Sequence, residues 1–336
     1  MSTESSISGE RNSVSVRDSC RSGERKDSVR LVGLDVLRFA AVLAVVWFHV
    51  PSPGAGFTIW HVPSLVIISI ALACSPAFDR PIAEITHRRA RRLLYPWIVW
   101  CGVFLAIDLV RYAAVGRSTI LENGFGTLFY GTSLHLWFLP FIFVATVLTG
   151  LCTRSEIDAK DRNWRIAHLT LTIVAFAVIL LLECCSPTWN SWPNPIPQWC
   201  AALPSVFLGI ATGLWMRECN PNIATKLGVA IAFLALMLGM GYLRGSIWTL
   251  AGSTLFATAL FLAASCFAMK NVPPVLSMLL GLAMAIYLIH PIAITTTRVV
   301  LRDSWHSSVV HGVLAIAASV AMAVLISKSR LRDLVA

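Results

Sequence analysis

Charge is what this sequence has least of. Asp, Glu, Lys and Arg make up 13% of its 336 residues, about half the roughly 25% of ordinary soluble domains. Carboxylates are the scarcer sign, 17 against 27 Lys and Arg, and the centres of the apolar runs lack them, with Asp108 the main exception. That deficit excludes a soluble enzyme with a solvated surface. The nine Cys residues show no paired metal-ligand spacing, so no zinc module and no metal site is expected. No apolar core precedes Leu31, which argues against a cleavable signal peptide. There is no internal repeat and no base-reading or phosphate-tracking motif, so the net charge of +10 does not indicate nucleic acid.

Apolar residues supply the rest, 57% of the chain. They fall into ten runs near the length of about 20 residues that a helix needs to cross a bilayer. The runs are Leu31–Val50, Trp60–Phe78, Leu93–Val115, Leu134–Cys152, Ile166–Leu182, Trp199–Met216, Leu227–Leu243, Ile247–Met269, Val275–Thr297 and Val309–Ser327. The expected fold class is all-α, a polytopic integral membrane bundle of about ten transmembrane helices. Residues 1–30 read as a Ser- and Arg-rich disordered cytoplasmic tail, 31–327 as one membrane domain, and 328–336 as a short basic tail.

Lys and Arg set the orientation. With the N-terminus inside, 21 basic residues lie on the inner side and five on the outer, Arg38 being within the membrane. Such a bias predicts both termini in the cytoplasm. Arg38 then lies toward the inner face and His49 at the outer end of the first span, just before Pro51 and Pro53. Cys184, Cys185 and Cys200 flank one outer loop, where a disulfide among them is one of the options.

Four patterns can carry chemistry. Arg38 and His49 are eleven residues apart, about three turns and roughly 16 Å along one helix face. Asp35 is placed at i,i+3 to pair with Arg38. An Arg at membrane depth is costly unless it has a partner and faces protein. Second, Arg88, Arg89, Arg91 and Arg92 crowd five positions at the inner mouth of the third span, where guanidiniums suit bidentate phosphate contacts; plain positive-inside anchoring explains them equally. Third, Leu134-His135-Leu136-Trp137-Phe138-Leu139-Pro140 opens the fourth span, either as an aromatic belt or as part of a site. Fourth, Tyr287-Leu288-Ile289-His290-Pro291 puts a His-Pro step in the ninth, where Pro291 should free a carbonyl. The chain thus has an Arg-bearing inner half and a His-bearing outer half.

These patterns, in this order, resemble the membrane acyltransferase-3 family, the ten-helix O-acyltransferases of cell-envelope glycans. Arg38 with His49 is similar to that family's Arg-x10-His signature in the first helix. Arg88/Arg91 or Arg89/Arg92 matches its Arg-x-x-Arg, with the register open. The similarity covers Leu31 to Ser327. One departure is in the second span: family members commonly have Phe-Phe-x-x-Ser-Gly, whereas here Ser69 is followed by Ile70. A Gly there would permit close helix approach.

The resemblance implies an integral protein of the bacterial inner membrane. It would move an acyl group, most often acetyl, from cytoplasmic acyl-CoA to a hydroxyl of an extracytoplasmic glycan or related acceptor. No permanently bound cofactor is implied, since acyl-CoA is the donor substrate. His49, Arg38 and Asp35 would be catalytic. Arg38 with Arg88, Arg89, Arg91 and Arg92 would hold the donor, and His135, Trp137, Tyr287 and His290 the acceptor. The expected partners are donor, acceptor and lipid bilayer. Some relatives carry a fused extracytoplasmic domain, a role that a separate partner protein would fill here. His49 suits either a general base, its unperturbed pKa lying near 6.5, or a transiently acylated relay. Two other classes also fit the residues: a proton-coupled transporter that works through Asp108, and a non-catalytic member of the same fold.

Overall fold

The computed structural model describes residues 30–75, 81–116, 118, 126–157, 164–301 and 309–329. The tail residues 1–29 and 330–336, together with Cys20, Arg80, Arg117 and Arg302, lie outside them.

The described residues are all helical in architecture. We label the apolar helices α1 (Val32–His49), α2 (His61–Ala73), α3 (Ile82–Val115), α4 (Phe138–Ile157), α5 (Trp164–Cys184), α6 (Ile196–Cys219), α7 (Ile223–Arg244), α8 (Leu250–Ala264), α9 (Ala283–Leu301) and α10 (Val309–Lys328). A 3-10 turn, Leu134–Trp137, leads into α4, and a short helix, Pro274–Gly281, leads into α9. By length and composition, eight of the described helices can cross a membrane; α5 and α8 contribute shorter apolar stretches. This is a polytopic membrane helix bundle. Large apolar side chains remain exposed on its outside, such as Val110 on α3, Ile173 on α5, Tyr242 and Leu243 on α7, and Val299 on α9. Lipid tails are the solvent that suits such a surface.

α2 is the central element. From Ser64 to Ile68 every side chain is buried, and the helix packs against α1, α4, α6 and α8. A helix that is apolar all round belongs in such a position. Its closest neighbour is α6. A Cβ added at Gly209 would come within 2.9 Å of the Ile70 Cβ, and one at Gly213 within 2.8 Å of the Ala71 Cα. The close approach that Ile70 seemed to forbid is therefore supplied from the other side, by Gly209-x-x-x-Gly213 on α6. Ser69 spends its hydroxyl on the Leu65 carbonyl, at 2.7 Å.

Two boundaries differ from the sequence reading. α3 begins at Ile82, eleven residues before the expected span. Pro81 precedes its first turn and nothing from Ile82 to Tyr95 breaks a helix, so the Arg cluster is helical. The ninth span is divided at Leu282 between the short helix and α9. Arg30, assigned by sequence to the tail, is docked on the bundle: its N–H donates to the Met269 carbonyl at 3.1 Å, and the Met269 N–H donates back at 3.0 Å. Cys184, Cys185 and Cys200 are all free thiols, so the disulfide option is not realised.

Candidate active site

α1 carries one functional pole at each end. At its N-terminal end Asp35 sits between two guanidiniums. Arg30 Nε donates to Asp35 Oδ2 at 2.7 Å, and Arg38 Nη1 to Asp35 Oδ1 at 3.2 Å. Arg30 Nη1 also donates to Ser277 Oγ at 3.1 Å, which ties the short helix before α9 to this pole. Sequence reasoning missed Arg30, because it looked like the last residue of a solvated tail.

The Arg cluster on α3 resolves into two groups. Arg89 and Arg92 lie within electrostatic reach of each other and of Arg38. They are an i,i+3 pair, so one helix face presents both. Arg88 instead pairs with Glu84 one turn back, at 2.7 Å, with Arg88 exposed and Glu84 half-buried. Arg91 is exposed. Of the two possible registers of Arg-x-x-Arg, Arg89/Arg92 is the one within electrostatic reach of Arg38, with Arg92 exposed and Arg89 half-buried.

At the other end of α1 three imidazoles meet, from three different elements. The His49 ring stacks on that of His290, 5.2 Å between centroids and 24° between planes. The His135 ring meets His290 edge-on at 5.1 Å. His49 is exposed, whereas His290 is 1% exposed. Behind them, the His290 Nδ1 lies 2.6 Å from the Tyr287 carbonyl. A carbonyl only accepts, so this nitrogen carries the proton and Nε2 keeps the lone pair. The local sequence explains the contact. Pro291 has no N–H to give to the carbonyl four residues back, which is that of Tyr287, and the imidazole of His290 takes its place.

The Tyr287 hydroxyl donates to the His135 carbonyl, joining α9 to the turn before α4. His135 Nδ1 lies 2.9 Å from Ser133 Oγ. Its Nε2 is enclosed without a well-aligned hydrogen bond, although the Leu288 carbonyl is near enough to interact with the ring. The ring edge of Phe104 closes one side at 4.8 Å. Trp137 is buried, with its ring against those of Phe138 and Phe141.

A fourth histidine went unnoticed in the sequence. His61, 6% exposed at the start of α2, directs Nδ1 at the Thr58 carbonyl at 2.5 Å. Phe48 separates it from His49, with ring centroids 5.1 Å from His61 and 5.6 Å from His49. A lone His-Val-Pro step gives no period or spacing by which to find it. The histidines form no metal-binding group among the described residues.

An arginine pole and a histidine pole thus lie at opposite ends of one apolar helix, α1, inside an all-helical membrane bundle. The family model described as an acyltransferase domain, acyltransferase-3, matches residues 31–328, nearly the whole described bundle. The chain belongs to the acyltransferase-3 family, and its class of activity is membrane acyl transfer. No curated protein and no solved structure matches it.

Proposed function

We propose that the chain transfers an acyl group, acetyl in the simplest case, from cytoplasmic acyl-CoA to a hydroxyl of an extracytoplasmic glycan or related acceptor. The observation that carries this reading is the placement of Arg38 and His49 on α1, at opposite poles and roughly 16 Å apart by helix rise. The donor is long, with phosphates at one end and a thioester at the other, and so needs two separated sites. Arg89 and Arg92 with Arg38 supply bidentate donors for its phosphates, and Asp35 holds Arg38 in place. The concentration of Lys and Arg on the side of the Arg pole supports a cytoplasmic position for it. The membrane would be the bacterial inner membrane, as the family likeness implies.

At the histidine pole the exposed His49 acts as general base. It takes the proton of the acceptor hydroxyl as that oxygen attacks the thioester carbonyl. The C–S bond then breaks, the acyl group is left on the acceptor oxygen, and the departing thiolate takes the proton from the imidazolium. His290 orients His49 by stacking, its own tautomer fixed by the Tyr287 carbonyl.

The test is transfer of labelled acetyl from acetyl-CoA in membrane vesicles. His49→Ala and Arg38→Lys should each lose transfer, by about two orders of magnitude for the base, with unchanged membrane levels. Lys cannot reproduce a planar two-point contact. Near-normal transfer by both variants contradicts the proposal.

A further inference from the structure

The start of α1 is fastened by its main chain. Arg30 and Met269 exchange backbone hydrogen bonds, at 3.1 and 3.0 Å, in an isolated antiparallel bridge. Gly33 donates its N–H to the Phe267 carbonyl at 3.1 Å, and a Cβ at this position would collide with the Ala264 carbonyl. These contacts dock the first turn of α1 on the segment that leaves α8. They also place the Arg30 side chain between two elements. Its Nε donates to Asp35 Oδ2 on α1 at 2.7 Å, and its Nη1 to Ser277 Oγ on the short helix before α9 at 3.1 Å.

Asp35 is therefore shared between two arginines. Arg30 takes Oδ2, and Arg38 reaches Oδ1 through Nη1 at 3.2 Å. A carboxylate and a single guanidinium favour a two-point fork, in which one arginine holds both oxygens. The i,i+3 spacing of Asp35 and Arg38 puts them within reach of such a fork. The fork would engage two of the five N–H donors of Arg38 and cancel its charge at short range. With Oδ2 held by Arg30, Arg38 spends one N–H on Asp35. Arg30 also lies within electrostatic reach of Arg38, so two cations face one anion and the pole keeps a positive excess.

We infer that Arg30 is a positioning residue of the donor site: by occupying one oxygen of Asp35 it prevents the fork with Arg38, and so keeps the Arg38 guanidinium available to a phosphate of acyl-CoA. The inference rests on the acyl-transfer reading and adds to it a residue that touches no substrate. Ser277 supports Arg30 from the far side, and the bridge to Met269 sets where its side chain begins.

Arg30→Gln removes the guanidinium and leaves the main-chain bridge to Met269 intact, so the first turn of α1 stays docked. Acetyl-CoA affinity is measured on the full chain in detergent, and acetyl transfer at saturating acetyl-CoA in membrane vesicles. Arg30→Gln should weaken acetyl-CoA binding about tenfold, the scale of one charge-assisted contact, with transfer at saturating donor within about twofold of wild type. The deciding comparison is a double-mutant cycle with Asp35→Asn. That substitution keeps an acceptor oxygen for Arg38 and removes the charge that would close on it. In the Asp35→Asn background, Arg30→Gln should change affinity by less than about twofold. Equal losses in the two backgrounds overturn the inference, because Arg30 would then act as an independent charge or through the fold. Unchanged affinity of Arg30→Gln, or a fall in saturated transfer alone, overturns it too. So does an Asp35→Asn chain that no longer binds acetyl-CoA, since Arg38 would then depend on the carboxylate charge and not on how it is shared. A wild-type chain that binds no acetyl-CoA removes the donor reading itself, and the role of Arg30 with it.

Discussion

Individual side chains in this protein owe their function to what fixes them. His290 is the clearest case. The proline after it frees a carbonyl, the imidazole takes that carbonyl, and the ring is left with one basic nitrogen and one orientation. His290→Gln should therefore lower kcat by about tenfold or more, the usual scale for disturbing a positioned acid–base group, with little change in KM for acyl-CoA; steady-state kinetics in vesicles would read this. The arginines divide in the same way. Arg89→Ala should raise KM for acyl-CoA by about tenfold, the value of one charge-assisted contact of roughly 1.5 kcal/mol. Arg88→Ala should change it by less than about twofold, because Arg88 is exposed and paired with Glu84, and such pairs contribute about 0–1 kcal/mol. Sequence could name these residues but not separate them. Spacing is the same for Arg88/Arg91 and Arg89/Arg92, and only the rotation of α3 against the bundle decides which pair comes within electrostatic reach of Arg38. His61 shows the converse: an isolated histidine becomes part of the site only when α2 packs its first turn beside the end of α1.

At the scale of whole helices, apolar run length gave the order and number of the elements nearly as found, because backbone groups in lipid must be satisfied within the helix. Ends were less legible where charge entered a helix. α3 starts among arginines that look like loop, since helix propensity does not penalise Arg. The break at Leu282 follows Gly281, a weak stop signal that the apolar run around it masks. Packing between helices was misjudged at one point. Ile70 looked like the loss of a close contact, yet that contact is made by Gly209 and Gly213 facing it, a small-xxx-small pattern readable in the sequence but unassignable to a partner without the fold. Gly209→Leu should accordingly destabilise the bundle by about 1–3 kcal/mol through overpacking, seen as a lower melting temperature in detergent. A melting curve indistinguishable from wild type would show that α2 and α6 are free to separate.

For the molecule as a whole, the account requires its two poles to face different compartments. Single cysteines placed at the exposed positions Arg91 and Phe57, in a background with the native cysteines removed, should react with a membrane-impermeant thiol reagent from opposite sides: Arg91→Cys from the cytoplasm only, Phe57→Cys from outside only. Reaction of both from one side would contradict the separation of donor and acceptor. The Lys and Arg distribution predicts this polarity, whereas the sequence carries no sign that His49 and His290 meet. Nothing in the spacing of residues 49, 135 and 290 says that their rings touch. That contact depends on α1 packing against α9 and on the Tyr287 hydroxyl holding the turn that carries His135.

The most direct test of the central claim is mass spectrometry of envelope glycans and secreted metabolites from matched cells producing either the wild-type chain or His49→Ala. The account predicts a mass increment of one acyl group on a hydroxylated acceptor in wild-type cells, absent with His49→Ala when both proteins are present in the membrane in equal amounts. The same increment in both strains would contradict it.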